Sequence, residues 1–83
     1  MKPLSTSQMA LLKAIAKSKH GLTDQEYSTQ SGTEGNSVRP RRRELVLLGL
    51  IEVRGTRTSA SGRRAQVWVA TKDGHVAIMK GTK

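Results

Sequence analysis

At Gly49 the apolar residues of this chain change their spacing, and no other feature constrains its fold as tightly. Before that point they recur at three- and four-residue steps: Met9, Leu12 and Ala16 with Leu11 and Ile15 alongside, and later Val38, Leu45 and Leu48. Such steps place side chains on one face of a helix. After it, Leu50, Ile51 and Val53 open a run of strand-formers that continues towards Thr58, and Arg64-Ala-Gln-Val-Trp-Val-Ala70 is a second run. The stretch Thr58-Ser-Ala-Ser-Gly62 between them is turn-forming, so the two runs read as a hairpin. Helices followed by a hairpin make an α+β domain.

Local punctuation divides the helical part into three. A helix over about residues 5–18 starts at Ser5 or Ser7, carries Lys17, Lys19 and His20 near its negative end, and stops at Gly21. Thr23-Asp-Gln-Glu26 has the form of a capping box, in which Glu26 reaches back to the N–H of the capping Thr23. The helix it opens covers about residues 23–31, ends at Gly32, and offers Tyr27 as its one large candidate for the core. After a turn at 32–36, a third helix covers about residues 37–48, capped by Asn36 or Ser37, with Pro40 in its first turn and Gly49 as its stop. Strands at about 51–58 and 64–70 follow. Residues 21–23 are a candidate third strand. The segment from Thr71 onwards, with a turn at Asp73-Gly74 and the apolar group Val76, Ala77, Ile78 and Met79, is a candidate short helix on the core. No repeat, low-complexity block or linker interrupts residues 1–83, which read as one domain with a single modest core.

The charge is segregated. The chain carries a formal net charge of +9, and all eight arginines fall between Arg39 and Arg64. Four of them, Arg39, Arg41, Arg42 and Arg43, crowd the front of the third helix, interrupted only by Pro40. Guanidinium groups gathered this way suit bidentate contacts with phosphates and base edges, so the expected partner is a nucleic acid. The absence of cysteine excludes disulfides, thiolate metal sites and cysteine nucleophiles. With no apolar run of membrane-spanning length and no signal-peptide layout, the expectation is a cytoplasmic protein (in a bacterial cytoplasm or a host cell nucleoid) with no membrane partner.

Several stretches carry a family resemblance: Gly21-Leu-Thr-Asp-Gln-Glu26, Ser37-Val-Arg-Pro-Arg-Arg-Arg-Glu-Leu45, Gly49-Leu-Ile51, and Ser61-Gly-Arg-Arg-Ala65 followed by Val67-Trp-Val-Ala-Thr71. Together they resemble the winged helix-turn-helix family, in particular its small phage and bacterial DNA-binding domains, over about residues 9–75. The resemblance implies a three-helix core followed by a β-hairpin wing and a short C-terminal segment. It also implies a third helix in the major groove and a wing tip near the backbone or minor groove.

Projected at 100° per residue, the third helix puts Val38, Leu45 and Leu48 on its core face, Arg41 and Arg42 at the flanks, and Arg39, Pro40 and Arg43 on the far side. Asn36, Ser37, Arg39, Pro40 and Arg43 are therefore the expected groove residues, with Arg39 and Arg43 as base readers. Hydroxyl and amide groups at Asn36 and Ser37 suit a phosphate at the helix N-terminus. Two readings of Arg41 and Arg42 carry equal weight: DNA contacts, or stems that cover the core rim and pair with Asp24, Glu26 or Glu44. In the wing, Arg57, Arg63 and Arg64 surround the tip with Thr58, Ser59 and Ser61 as small donors. Trp68 reads as core.

The leading expectation is a double-stranded DNA-binding protein, a phage or bacterial transcriptional regulator or recombination accessory factor. The alternatives are a module that binds an acidic host protein, and a shape-specific binder of RNA or non-B DNA. His20 and His75 lie far apart with no carboxylate pair or ligand spacing around either, so no catalysis, metal site or cofactor is expected. Residues 76–80 offer a small apolar contact that leaves monomer and homodimer both open.

Overall fold

The computed structural model describes residues 4–58 and 62–81. The chain runs α1 (Thr6–Lys17), α2 (Asp24–Ser31), α3 (Gly35–Leu47), β1 (Ile51–Thr58), β2 (Arg64–Ala70) and α4 (Lys72–Gly81). Two complete capping boxes open the first two helices. Ser5 caps α1 with Gln8 as its reciprocal partner, and Thr23 caps α2 with Glu26. Each box satisfies a donor that the helix geometry itself leaves unpaired. α1 ends at the Ser18 cap, three residues before Gly21, and the Ser18 hydroxyl donates to the Gly21 carbonyl at 2.6 Å.

The period break at Gly49 is a Schellman turn. Gly49 takes a φ of +75°, its N–H donates to the Val46 carbonyl at 3.0 Å, and the Leu50 N–H donates to the Leu45 carbonyl at 3.0 Å. The left-handed glycine folds Leu50 back against the helix end, so the strand starts with its first apolar residues already in the core. Leu11, Leu12, Ile15, Val38, Leu45, Leu50, Ile51 and Trp68 form that core, and Leu12 and Leu45 are fully buried. α2 contributes no buried residue; half-buried Tyr27 packs on the core from its edge.

The two strands pair antiparallel from Ile51 opposite Ala70 to Thr58 opposite Arg64. Between Val53 and Thr56 the register shifts, so that Arg54 and Gly55 oppose Val67 alone, a β-bulge that bends β1. Residues 21–23 supply one antiparallel bridge rather than a third strand: Leu22 exchanges backbone hydrogen bonds with Trp68 at 3.0 and 2.8 Å. The chain reaches this bridge through Gly21, at φ +80°, lying against β2. A Cβ there would sit 2.6 Å from Val67 Cγ1 and 2.7 Å from the Trp68 carbonyl oxygen. This turn runs along the edge of β2 and packs on Val67, which is buried, as is Trp68 on the opposite face. Gly21→Ala should therefore cost about 1–2 kcal/mol from the backbone conformation alone. The contact with β2 adds to that, lowering the melting temperature by at least roughly 4–8 °C; a variant that melts with the parent would contradict this packing.

Four expectations need correction. α3 begins at Gly35 with Glu34 as its cap and no side-chain cap hydrogen bond, so Asn36 and Ser37 lie inside its first turn rather than at the cap. Pro40 then falls within the helix, beyond the first turn, and the Asn36 carbonyl has no N–H four residues on. Leu48 is the C-cap of α3 and is half exposed, because the Schellman turn fills its place in the core with Leu50. Asp73 and Gly74 form no turn but belong to α4. Thr71 opens that helix, its hydroxyl accepting from the Gly74 N–H at 3.1 Å and donating to the Gly49 carbonyl at 2.7 Å. Gly74 is needed for closeness, since a Cβ there would collide with the Leu50 carbonyl oxygen.

Candidate nucleic-acid interface

The apolar face of α3 is used up by Val38 and Leu45, which leaves the opposite side to solvent. Asn36, Arg39, Pro40, Arg43 and Leu47 are all exposed there, and Leu47 stands 76% exposed in line with Asn36, Pro40 and Arg43. Ser37 is exposed at the edge of the same turn. β2 and the adjoining turn bring Arg63 and Arg64 towards this helix, and together with Arg39 they line one open cleft that also takes in Gln25, Gln66 and Trp68. Arg39 lies far from the adjacent Arg63 and Arg64 in the sequence; the fold brings all three to one place. Thr58 is exposed near the far end of β1, and Ser59 and Ser61 lie outside the described residues.

The other arginines of the region are held by carboxylates. Arg42 reaches back from α3 to Asp24 on α2, with Nε at 3.2 and 3.3 Å from the two carboxylate oxygens and Nη2 at 3.1 Å. Its guanidinium also lies 4.6 Å from the centroid of the Trp68 ring. Both side chains are more than three-quarters buried, and the pair is bidentate and stacked. Of the two readings of Arg42, internal pairing describes its geometry. Arg41 meets Glu44 at 3.6 Å with both side chains about half exposed, a pair weak enough to leave Arg41 available at the surface.

Arg57 was expected at the tip. Instead its side chain turns towards the body, with Nη1 donating to Glu26 Oε2 at 2.7 Å and Nη2 to the His20 carbonyl at 2.8 Å. Sequence reasoning had no signal for this contact, because Arg57 and Glu26 are 31 residues apart and Glu26 already had a role in the capping box. Among the described residues, Arg39, Arg43, Arg54, Arg63 and Arg64 take part in no ion pair. The acids of α2 thus neutralise Arg42 and Arg57, and Arg39, Arg63 and Arg64 around the cleft keep their charge. No group of His, Cys, Asp or Glu side chains suited to a metal ion occurs among the described residues. Nor is any described helix long and apolar enough to cross a membrane.

No protein-family model matches the sequence, and a comparison with curated proteins finds no match. Among solved structures, a crystal structure of MarR superposes on 93% of this chain with a TM-score of 0.74 at 23% sequence identity. The fold is a winged helix-turn-helix. The chain spans half the length of that MarR structure. In the terms of this fold, α2 and α3 are the helix-turn-helix, the β1–β2 hairpin is the wing, and the Leu22–Trp68 bridge ties the wing's base to the turn between α1 and α2.

Proposed function

We propose that this chain binds double-stranded DNA as a phage or bacterial transcriptional regulator or recombination accessory factor. The outward face of α3 enters the major groove, and the wing lies on the backbone or in the adjacent minor groove. The observation that carries this reading is the cleft in which Arg39 of α3 meets Arg63 and Arg64 of the wing, with the neighbouring acid Asp24 already neutralised by Arg42. Phosphates are the ligands that such a site attracts, and a helix face of suitable width stands directly beside it. In this reading Asn36, Ser37, Arg39, Pro40 and Arg43 face the groove. Arg63, Arg64 and Thr58 follow the backbone, and Arg41 sits at the rim.

The test is a salt titration on random and on selected duplex DNA. Affinity is expected to fall steeply with salt, with a log–log slope of about −0.9 for each phosphate contacted, and to retain a preference for the selected duplex. A steep slope with no preference would point to recognition of charge or shape alone. No binding at low salt would overturn the DNA reading and leave an acidic protein as the partner. Exposed Val76 on the outer side of α4, with Met79 beside it, favours pairing of two copies. Selection of bound sites from random DNA reads this directly, since a symmetric pair yields half-sites about 34–36 Å apart.

A further inference from the structure

The inner and outer parts of the wing are attached to the body in different ways. At its base the strands continue into the core through Ile51 and Trp68. Above the base, β1 bends at the Arg54–Gly55 bulge, where one residue of β2 faces two of β1 and a ladder hydrogen bond is lost. Beyond the bulge the described wing residues are exposed on both faces apart from half-buried Arg57 and Ala65, so little apolar packing holds this outer part. Among the described residues, one long-range polar contact holds this outer part: Arg57, which clasps Glu26 at 2.7 Å and the His20 carbonyl at 2.8 Å. Glu26 divides its two oxygens, Oε1 accepting from the Thr23 N–H at 3.0 Å and Oε2 from Arg57. The carboxylate that completes the capping box of α2 is also the one that Arg57 binds.

We propose that Arg57 is a positioning residue, which acts through Glu26 to hold the wing over the stretch of DNA that α3 occupies, rather than a residue that touches phosphate. The role of the pair on DNA rests on the DNA-binding reading; the tethering of the wing does not. The two assignments of Arg57 differ in sign. If Arg57 contacted phosphate, Glu26→Gln would release it and strengthen binding. Arg57→Gln would then weaken binding whether or not Glu26 was present, and would lower the salt slope by about one. As a tether, Arg57 works only with its partner.

The experiment uses the full chain and the variants Glu26→Gln, Arg57→Gln, Arg57→Lys and the double Gln variant. Gln at position 26 keeps an oxygen for the Thr23 N–H, so the capping box survives. Hydrogen exchange of the free protein is read at Thr56, Arg57, Thr58, Ala65 and Gln66. Each single Gln variant should exchange faster there by roughly two- to fivefold, the range of a partly exposed ion pair. The double variant should be no faster, Arg57→Lys should lie closer to the parent, and exchange in α1 should not change. On DNA, Arg57→Gln should lower affinity with an unchanged salt slope and have no further effect in the Glu26→Gln background. Unchanged wing exchange in Glu26→Gln would overturn the tether, and a salt slope reduced by one in Arg57→Gln would return Arg57 to the phosphates. Failure of the parent to bind any DNA would overturn the DNA-binding reading alone, because the exchange measurement needs no DNA.

Discussion

Leu45→Ala is expected to remove about 2–5 kcal/mol of stability, the range for truncating a fully buried leucine. Leu45 has no exposed surface, and its backbone carbonyl accepts the Leu50 N–H that closes the Schellman turn. A cavity at that point is flanked by the end of α3 and the start of β1, two backbones already fixed by the turn, so little can collapse to fill it. A domain of this size stores roughly 5–15 kcal/mol in all, so the loss is a large fraction of it. Denaturant and thermal melts should show a drop in melting temperature of roughly 10–30 °C. Leu45→Met, which nearly conserves volume, should cost less than about 1.5 kcal/mol. If alanine and methionine were equally tolerated, Leu45 would not be the keystone that its burial describes.

The second large effect concerns recognition. Arg43→Ala and Arg39→Ala are each expected to weaken binding to the preferred duplex by about 1–3 kcal/mol, the discrimination of a good bidentate arginine–guanine pair. They should do so while changing which sequence is preferred. Arg63→Ala, on the wing side of the cleft, should instead weaken binding to all duplexes alike and reduce the salt slope by about one. Competition binding against a panel of single-base variants separates the two outcomes. Equal, sequence-blind losses from Arg39, Arg43 and Arg63 would show that the outward face of α3 contacts backbone only.

Much of the fold was legible because its signals are local. The Thr23–Glu26 capping box and the Gly49 stop each depend on residues within one turn, and both stand where the sequence put them. The hairpin was readable from its two strand-forming runs. Competing local signals explain the misreadings. Asn36 and Ser37 are better capping residues than Glu34, yet α3 starts earlier, directly after a turn in which the Ser28 hydroxyl bonds the Thr33 carbonyl. Asp73-Gly74 has the composition of a turn, but Gly74 is there because the Leu50 carbonyl comes so close. At the candidate site, helical projection separated Arg39 and Arg43 from the core, whereas the partners of Arg42 and Arg57 depended on contacts 18 and 31 residues away. No periodicity within one helix or strand carries that information.

The placement of Trp68 gives the domain an optical consequence. It is the one tryptophan of the chain, and its ring lies under the guanidinium through which Arg42 joins α3 to α2, while its backbone forms the bridge to Leu22. Indole emission therefore originates where α3 and the wing join the body of the domain. Any event that separates Arg42 from Asp24, or lifts the wing's base from Leu22, alters the polarity around that ring. The protein carries an intrinsic fluorophore where α2, α3 and the wing meet.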